Sequence, residues 1–371
     1  MTAPESRPEL DSVQALRGLA AMLVVIYHVT GVQKDELIPG LWERGYAGVD
    51  MFFVISGFIL TYVTHTYART LGTAGRFLYA RATRIYPLWW VIASILPAYF
   101  LLSYGTVVSP DRMMPASDAW TYLGKSLLLW PQSELPVLNV GWTLIHEVYF
   151  YLVFSLALLF RRNALPVLLI AWGALTLAGS WRAVAGSPLM ELVTSQLTLE
   201  FIAGAFIGLA IRRRLFFLPR TFIVLGAAGL LMAMVLYAAP PSQGTPITGR
   251  VAVYMLPCCA LLYGSVVMEQ SRSVRIPAGW VVLGNWSYAL YLVHLIIMIV
   301  LLRLSRTADA LLPPDWRPYL VFSEPGLWGN LVFTTVMITA SIASAAIAHH
   351  YVERPLLRLT RKIIRRPRLA T

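Results

Sequence analysis

The sequence predicts an all-α fold: a polytopic transmembrane helical bundle of about ten spans with both termini cytoplasmic. Three observations predict it. Of the 371 residues, 58% are hydrophobic and only 13% charged, whereas a soluble domain carries about 25% charged residues. The apolar residues fall into runs that match the ~20 helical residues needed to cross a hydrocarbon core of about 30 Å. Those runs are far longer than barrel strands and do not alternate. The net charge of +12 sits in short blocks between them, where Lys and Arg mark cytoplasmic loops. The basic balance therefore reads as topology, with the lipid bilayer as partner and no nucleic acid.

Along the chain, residues 1–12 read as a short cytoplasmic segment, 13–351 as the transmembrane domain and 352–371 as a basic cytoplasmic tail. Spans are expected at 13–31, 46–66, 85–104, 142–160, 164–180, 192–211, 221–238, 251–268, 283–302 and 327–350. The first follows the polar start MTAPESRPEL without a small-residue cleavage site, so it is read as a retained span. Arginine-rich loops such as those at Arg161 and Arg162, and at Arg212 to Arg214, fall on one side. Acidic or mixed loops such as QKDELIPGLWERG fall on the other. Residues 119–138 are apolar but broken by Lys125, Pro131, Glu134 and Pro136, and are expected to form a re-entrant or interfacial segment on the outer side. Residues 304–326 read as a polar outer loop. Cys258 and Cys259 are adjacent within an apolar run and lack metal-ligand spacing, so no metal is expected.

Ionisable residues inside apolar spans are costly and face a bundle interior or a water-filled cavity. In the first span, Arg17 and His28 lie eleven residues apart. At 100° per residue they share one helix face, separated by about 16 Å along the axis. Asp50 opens the second span and reads either as an interfacial cap favoured by the helix dipole or as a carboxylate that orients His28. His146 and Glu147 are adjacent and point about 100° apart; Glu147, the costlier to bury, is the expected inward residue. Ser287, Tyr291 and His294 share a face of the ninth span, as interhelical polar contacts do. Arg81 and Arg84, three apart at an expected helix start, form either a positive-inside anchor or a planar-fork site for phosphate.

Several segments in this order are distinctive: LDSVQALRGLAAMLVVIYH, GYAGVDMFFVISGFILTYV, RFLYARATRIYPLWW, VGWTLIHEVYFYLVF, WSYALYLVH and YVERPLLR. From about Leu10 to Leu357 the chain resembles the acyltransferase 3 family of membrane-bound acyltransferases, which O-acetylate surface polysaccharides, lipopolysaccharide O-antigens and Nod factors. Its WTL-x-x-E pattern and the expected ten spans, with no appended domain expected, are most similar to the exopolysaccharide-type members. Many members carry an Asp within the stretch that here reads Val-Gln-Ala-Leu-Arg; Asp11 lies farther upstream and receives no family role.

The resemblance implies acyl transfer from cytoplasmic acetyl-CoA to a hydroxyl of a surface or exported polysaccharide, or its lipid-linked precursor, on the outer side of a bacterial inner membrane. Polysaccharide-synthesis machinery is then an expected partner. On that reading His28 is the essential histidine and Arg17, Arg81 and Arg84 are the essential arginines. Arg81 and Arg84 bind the phosphates of acetyl-CoA, and Arg17 holds the pantetheine end or polarises the thioester. His28 is the general base, oriented by Glu147 or Asp50, with a transient acyl-histidine as an open variant. The alternatives are a secondary transporter or flippase for a glycolipid or acyl donor, and a scaffold of a polymerase complex.

Overall fold

Long apolar segments form helices, which satisfy backbone polar groups within the segment as a bilayer demands. The structure, a computed structural model, describes residues 10–31, 44–109, 114–180, 187–237, 247–313, 315 and 327–364. Among them there is no strand, and nine helical stretches are long and apolar enough to cross a membrane. The protein is a helical, multi-pass membrane protein.

In chain order the helices are α1 (Asp11–Thr30), α2 (Ala47–Thr64), α3 (Leu71–Ala93), α4 (Ile95–Tyr104), α5 (Ala116–Leu128), α6 (Gly141–Ala157) and α7 (Leu165–Ser180). They continue with α8 (Pro188–Val193), α9 (Leu197–Arg212), α10 (Pro219–Leu236), α11 (Ile247–Gln270) and α12 (Ala278–Leu311). The last are α13 (Leu327–Ala348), a π-turn (His349–Glu353) and α14 (Arg354–Ile364).

Two expectations need correction. The third span starts well before 85, because the Thr70 hydroxyl caps α3 by accepting from the Thr73 amide. Arg81 and Arg84 therefore lie inside a helix, and the helix N-terminus lends them no dipole. Residues 304–311 continue α12 and are not loop. The segment 119–138 is helical only as far as Leu128, where Leu129 adopts φ 54° and ends α5 in a left-handed cap. The span expected at 142–160 is the 17-residue α6, about 25 Å long at 1.5 Å per residue.

The chain divides into two compact units. The first comprises Met1–Tyr27, Gly40–His65 and Leu199–Ser287. Its helices approach at small residues, which permit backbone contact where lipid provides no hydrophobic drive between helices. A Cβ on Gly57 would lie 1.8 Å from the Phe201 carbonyl oxygen of α9, and one on Gly204 1.9 Å from that of Val54 on α2. Those contacts seat a core that includes Val54, Phe58, Tyr254, Cys258 and Leu262. At the start of α1, the Glu269 carboxylate accepts from the amides of Asp11 (2.8 Å) and Ser12 (3.0 Å) and from the Ser12 hydroxyl, satisfying donors the helix leaves unpaired.

The second unit comprises His28–Pro39, Thr66–Thr198 and Tyr288–Thr371. Here α3 packs on α5, α6, the π-turn and α14. The carbonyl of Leu127 at the end of α5 accepts from Trp89 Nε1 (3.2 Å) and Trp90 Nε1 (2.9 Å), and that of Leu128 from the Tyr86 hydroxyl (3.0 Å). Trp89 also underlies the first turn of α6: a Cβ on Gly141 would stand 2.4 Å from its ring. The aromatic run after Arg84 thus sets where α6, with Thr143 and Glu147, enters the bundle.

Candidate active site

Within the second unit, residues from five chain-distant segments meet in two polar layers. The first layer holds His28. Its Nδ1 lies 3.2 Å from Nε2 of the fully buried His294, and the ring centroids are 5.0 Å apart. His294 Nδ1 in turn lies 3.0 Å from the Leu290 carbonyl oxygen. One turn back on α12, the Tyr291 hydroxyl contacts Thr143 Oγ1 at 2.7 Å and donates to the Val140 carbonyl at 3.2 Å. This layer therefore ties α12 to the start of α6.

The second layer holds the arginines. Between His294 and Tyr288, α12 rises about 9 Å. The Tyr288 hydroxyl donates to the Ile85 carbonyl at 2.6 Å, just after Arg84. The Tyr151 hydroxyl donates to Glu147 Oε1. The Arg81 guanidinium lies 5.6 Å from the Phe77 ring centroid and 5.8 Å from that of Tyr151, within cation–π range. Arg81 Nε is buried with no hydrogen-bond acceptor, a donor available to an anionic ligand. The charges of Arg81, Arg84 and Glu147 all act on the Tyr151 hydroxyl. Those of Arg84, Glu147 and Glu353 act on Tyr288. Glu353, buried in the π-turn, pairs with His349 Nδ1 at 2.7 Å; π-turns often mark functional positions.

In the loop before α3, Arg69 Nε and Nη1 are buried without acceptors. Burial, and then the neighbouring charge of Arg162, hold the Arg69 guanidinium below the usual arginine range. Arg69 is thus, besides Arg81, a second guanidinium with unsatisfied donors.

The remaining expected residues have partners of their own. Asp50, on α2 in the first unit, is fully buried and receives Arg250 Nε and Nη2 in a forked ion pair at 2.8–3.1 Å. Glu200 of α9 is fully buried beside that pair. Arg17 is half-buried on α1, next to Gly18, whose Cβ would meet the Gly284 amide and the Trp280 carbonyl at 3.1 Å. His146 stands against the rings of Trp142 (5.7 Å) and Phe150 (6.3 Å), while its neighbour Glu147 reaches the arginine layer. Four residues that sequence reasoning gives no catalytic or binding role, Tyr151, Tyr288, His294 and Glu353, belong to these layers. The signal for three of them is present in the segments WSYALYLVH and YVERPLLR. Among the described residues, no group of three or more His, Cys, Asp or Glu side chains is placed to hold a metal ion.

A family model described as an acyltransferase domain matches residues 10–350. The chain is 34% identical over 266 residues to the exopolysaccharide production protein ExoZ of Rhizobium meliloti (strain 1021), covering 67% of this chain and 75% of that protein. It is 27% identical to the acyltransferase MdmB of Streptomyces mycarofaciens, covering 94% and 92%. It is 21% identical to the peptidoglycan O-acetyltransferase OatA of Listeria monocytogenes serovar 1/2a (strain ATCC BAA-679 / EGD-e), covering 96% of this chain and 57% of that one. No solved structure matches.

Proposed function

Because the chain belongs to the acyltransferase 3 family of membrane-bound acyltransferases, we propose that it transfers acetyl from cytoplasmic acetyl-CoA to a hydroxyl of a surface or exported polysaccharide, or of its lipid-linked precursor. The transfer would occur toward the outer side of a bacterial inner membrane, with both termini in the cytoplasm. The exopolysaccharide production protein and the peptidoglycan O-acetyltransferase among its relatives favour a polysaccharide acceptor. The observation that carries the reading is the convergence of Arg81, Arg84, Glu147, Tyr151 and Tyr288 in one layer, with His28 and His294 in the layer beside it.

In this reading Arg81 and Arg84 hold the phosphates of the donor. The unsatisfied Nε of Arg81 and the planar fork of each guanidinium suit that ligand. Glu147 and Tyr151 brace the arginines from α6. Arg17 holds the pantetheine end or polarises the thioester. His28 takes the proton of the acceptor hydroxyl as its oxygen bonds to the thioester carbonyl carbon. The C–S bond then breaks, and the departing thiolate recovers the proton from the His28 imidazolium. Asp50, committed to Arg250, serves the architecture of the first unit.

The test is His28→Ala. Cells lacking the gene are complemented with the wild type or the variant, and acetyl content of the surface glycan is measured by mass. Loss of acetylation with undiminished membrane insertion is the expected outcome. Normal acetylation by the variant sinks the mechanism. Acetyl-CoA-dependent labelling of glycan by purified protein in proteoliposomes separates an enzyme from a transporter or scaffold, which would give none.

A further inference from the structure

We propose that His294 is a positioning residue for His28: its ring, 3.2 Å away, holds His28 in the Nδ1–H tautomer and leaves the basic lone pair on Nε2. The inference deepens the general-base reading of His28 and rests on it.

The argument is one of donors and acceptors. The Leu290 carbonyl oxygen can only accept, so the hydrogen at the 3.0 Å contact belongs to His294 Nδ1. A neutral imidazole carries a single N–H. His294 Nε2 is therefore an acceptor, and the atom facing it, His28 Nδ1, donates. With its one hydrogen placed on Nδ1, the neutral His28 ring carries its lone pair on Nε2.

The surroundings keep this chain of contacts in place. His294 is fully buried. One turn away, Tyr291 is anchored to Val140, just before α6, and to Thr143 of α6, so α12 cannot rotate the ring away without breaking those bonds. The rings of His28 and His294 are tilted by 51°, which leaves an edge-on N–H···N contact in place of stacking.

The consequence for reaction is specific. When His28 Nε2 takes the hydroxyl proton, its Nδ1–H bond to His294 becomes a charge-assisted bond, about twice as strong as a neutral one. The gain appears only as the imidazolium forms, which is what raises kcat. A carboxylate would do the same in a triad. A neutral imidazole does it without adding a second desolvated charge inside the bilayer. His294 itself begins and ends the cycle neutral and exchanges no atoms with substrate.

The test reads the tautomer directly. Full-length protein labelled with [15N]histidine is reconstituted in bilayers for NMR, with His28 assigned as the signals lost in His28→Gln. In the wild type, neutral His28 should show a protonated Nδ1 and a bare Nε2. A protonated Nε2 overturns the proposal, and this arm needs no variant of His294 to fold. Kinetics provide a second arm. His294→Leu should lower kcat for acetyl transfer by about 100-fold, within the range for general-base catalysis, with the KM for acetyl-CoA unchanged. His294→Gln, whose amide oxygen can accept the same N–H, should recover about tenfold of that loss, as one hydrogen bond is worth. Equal loss in both variants, or a raised KM with kcat retained, overturns the positioning role. A wild type with the expected tautomer but no acyl transfer would defeat the general-base reading instead.

Discussion

Replacing Asp50 by alanine removes the carboxylate that receives the Arg250 guanidinium and leaves the buried Glu200 carboxyl as the remaining acid beside it. The carboxylate receives Nε at 3.0 and 3.1 Å and Nη2 at 2.8 Å. Nη2 also donates to the Tyr46 carbonyl at 3.3 Å, and the guanidinium lies 4.9 Å from the Tyr46 ring centroid. The two side chains are 12% and 0% exposed, so water does little to replace the lost partner. Removing one member of such a buried pair costs about 3–5 kcal/mol, or roughly 10²- to 10⁴-fold in the folding equilibrium at about 1.4 kcal/mol per decade. Replacing both, Asp50→Leu with Arg250→Met, puts apolar groups of similar volume in the site and should restore most of that stability. Unfolding in mixed detergent–SDS micelles, followed by tryptophan fluorescence, measures each term, with acetyl transfer assayed alongside. The expected outcome is an unstable single variant and a stable, active double variant. A cost below about 1 kcal/mol for Asp50→Ala, as for an exposed pair, refutes the structural reading of the ion pair. A stable but inactive double variant refutes it differently, and returns Asp50 to the chemistry.

Two further outcomes follow from the arginine layer and the helix crossings. Arg81→Gln and Arg84→Gln each remove a charged fork from the proposed site for the donor phosphates; at about 1.5–3 kcal/mol per charge-assisted bond, each should raise the KM for acetyl-CoA about 10- to 100-fold with kcat largely retained. Steady-state kinetics in proteoliposomes check this, and an unchanged KM in both variants removes the arginines from the donor site. Gly57→Leu places a Cβ 1.8 Å from the Phe201 carbonyl oxygen, so α2 and α9 must separate. Size-exclusion chromatography should show loss of the monodisperse species, whereas Gly72→Leu, whose Cβ meets nothing within 4 Å, should be recovered normally.

The sequence by itself determined the class of structure and the spacing of its polar residues along each helix. Backbone groups in lipid have no water to bond, so long apolar runs must become helices, and the 3.6-residue period then puts Arg17 and His28 on one face of α1. Hydropathy alone placed Glu147 and His146 inside a helix, where both are half-buried. It could not place the start of α3, because the cap at Thr70 precedes the apolar run by more than a turn and leaves Arg81 and Arg84 in mid-helix.

Which polar groups meet was decided by tertiary structure alone. His28 and His294 are separated by 266 positions, Asp50 and Arg250 by 200, and Glu353 reaches the arginine layer only through the π-turn that follows α13. No local period encodes such pairings. They depend on where helix axes cross, and those crossings are set by backbone contacts at small residues such as Gly57 and Gly204 and by the wedge of Trp89 under Gly141. Read along one helix, His294 is a polar residue on a polar face. Only when packing brings its Nε2 to the ring of His28 does it acquire a direction, an acceptor's role and a place beside the proposed general base.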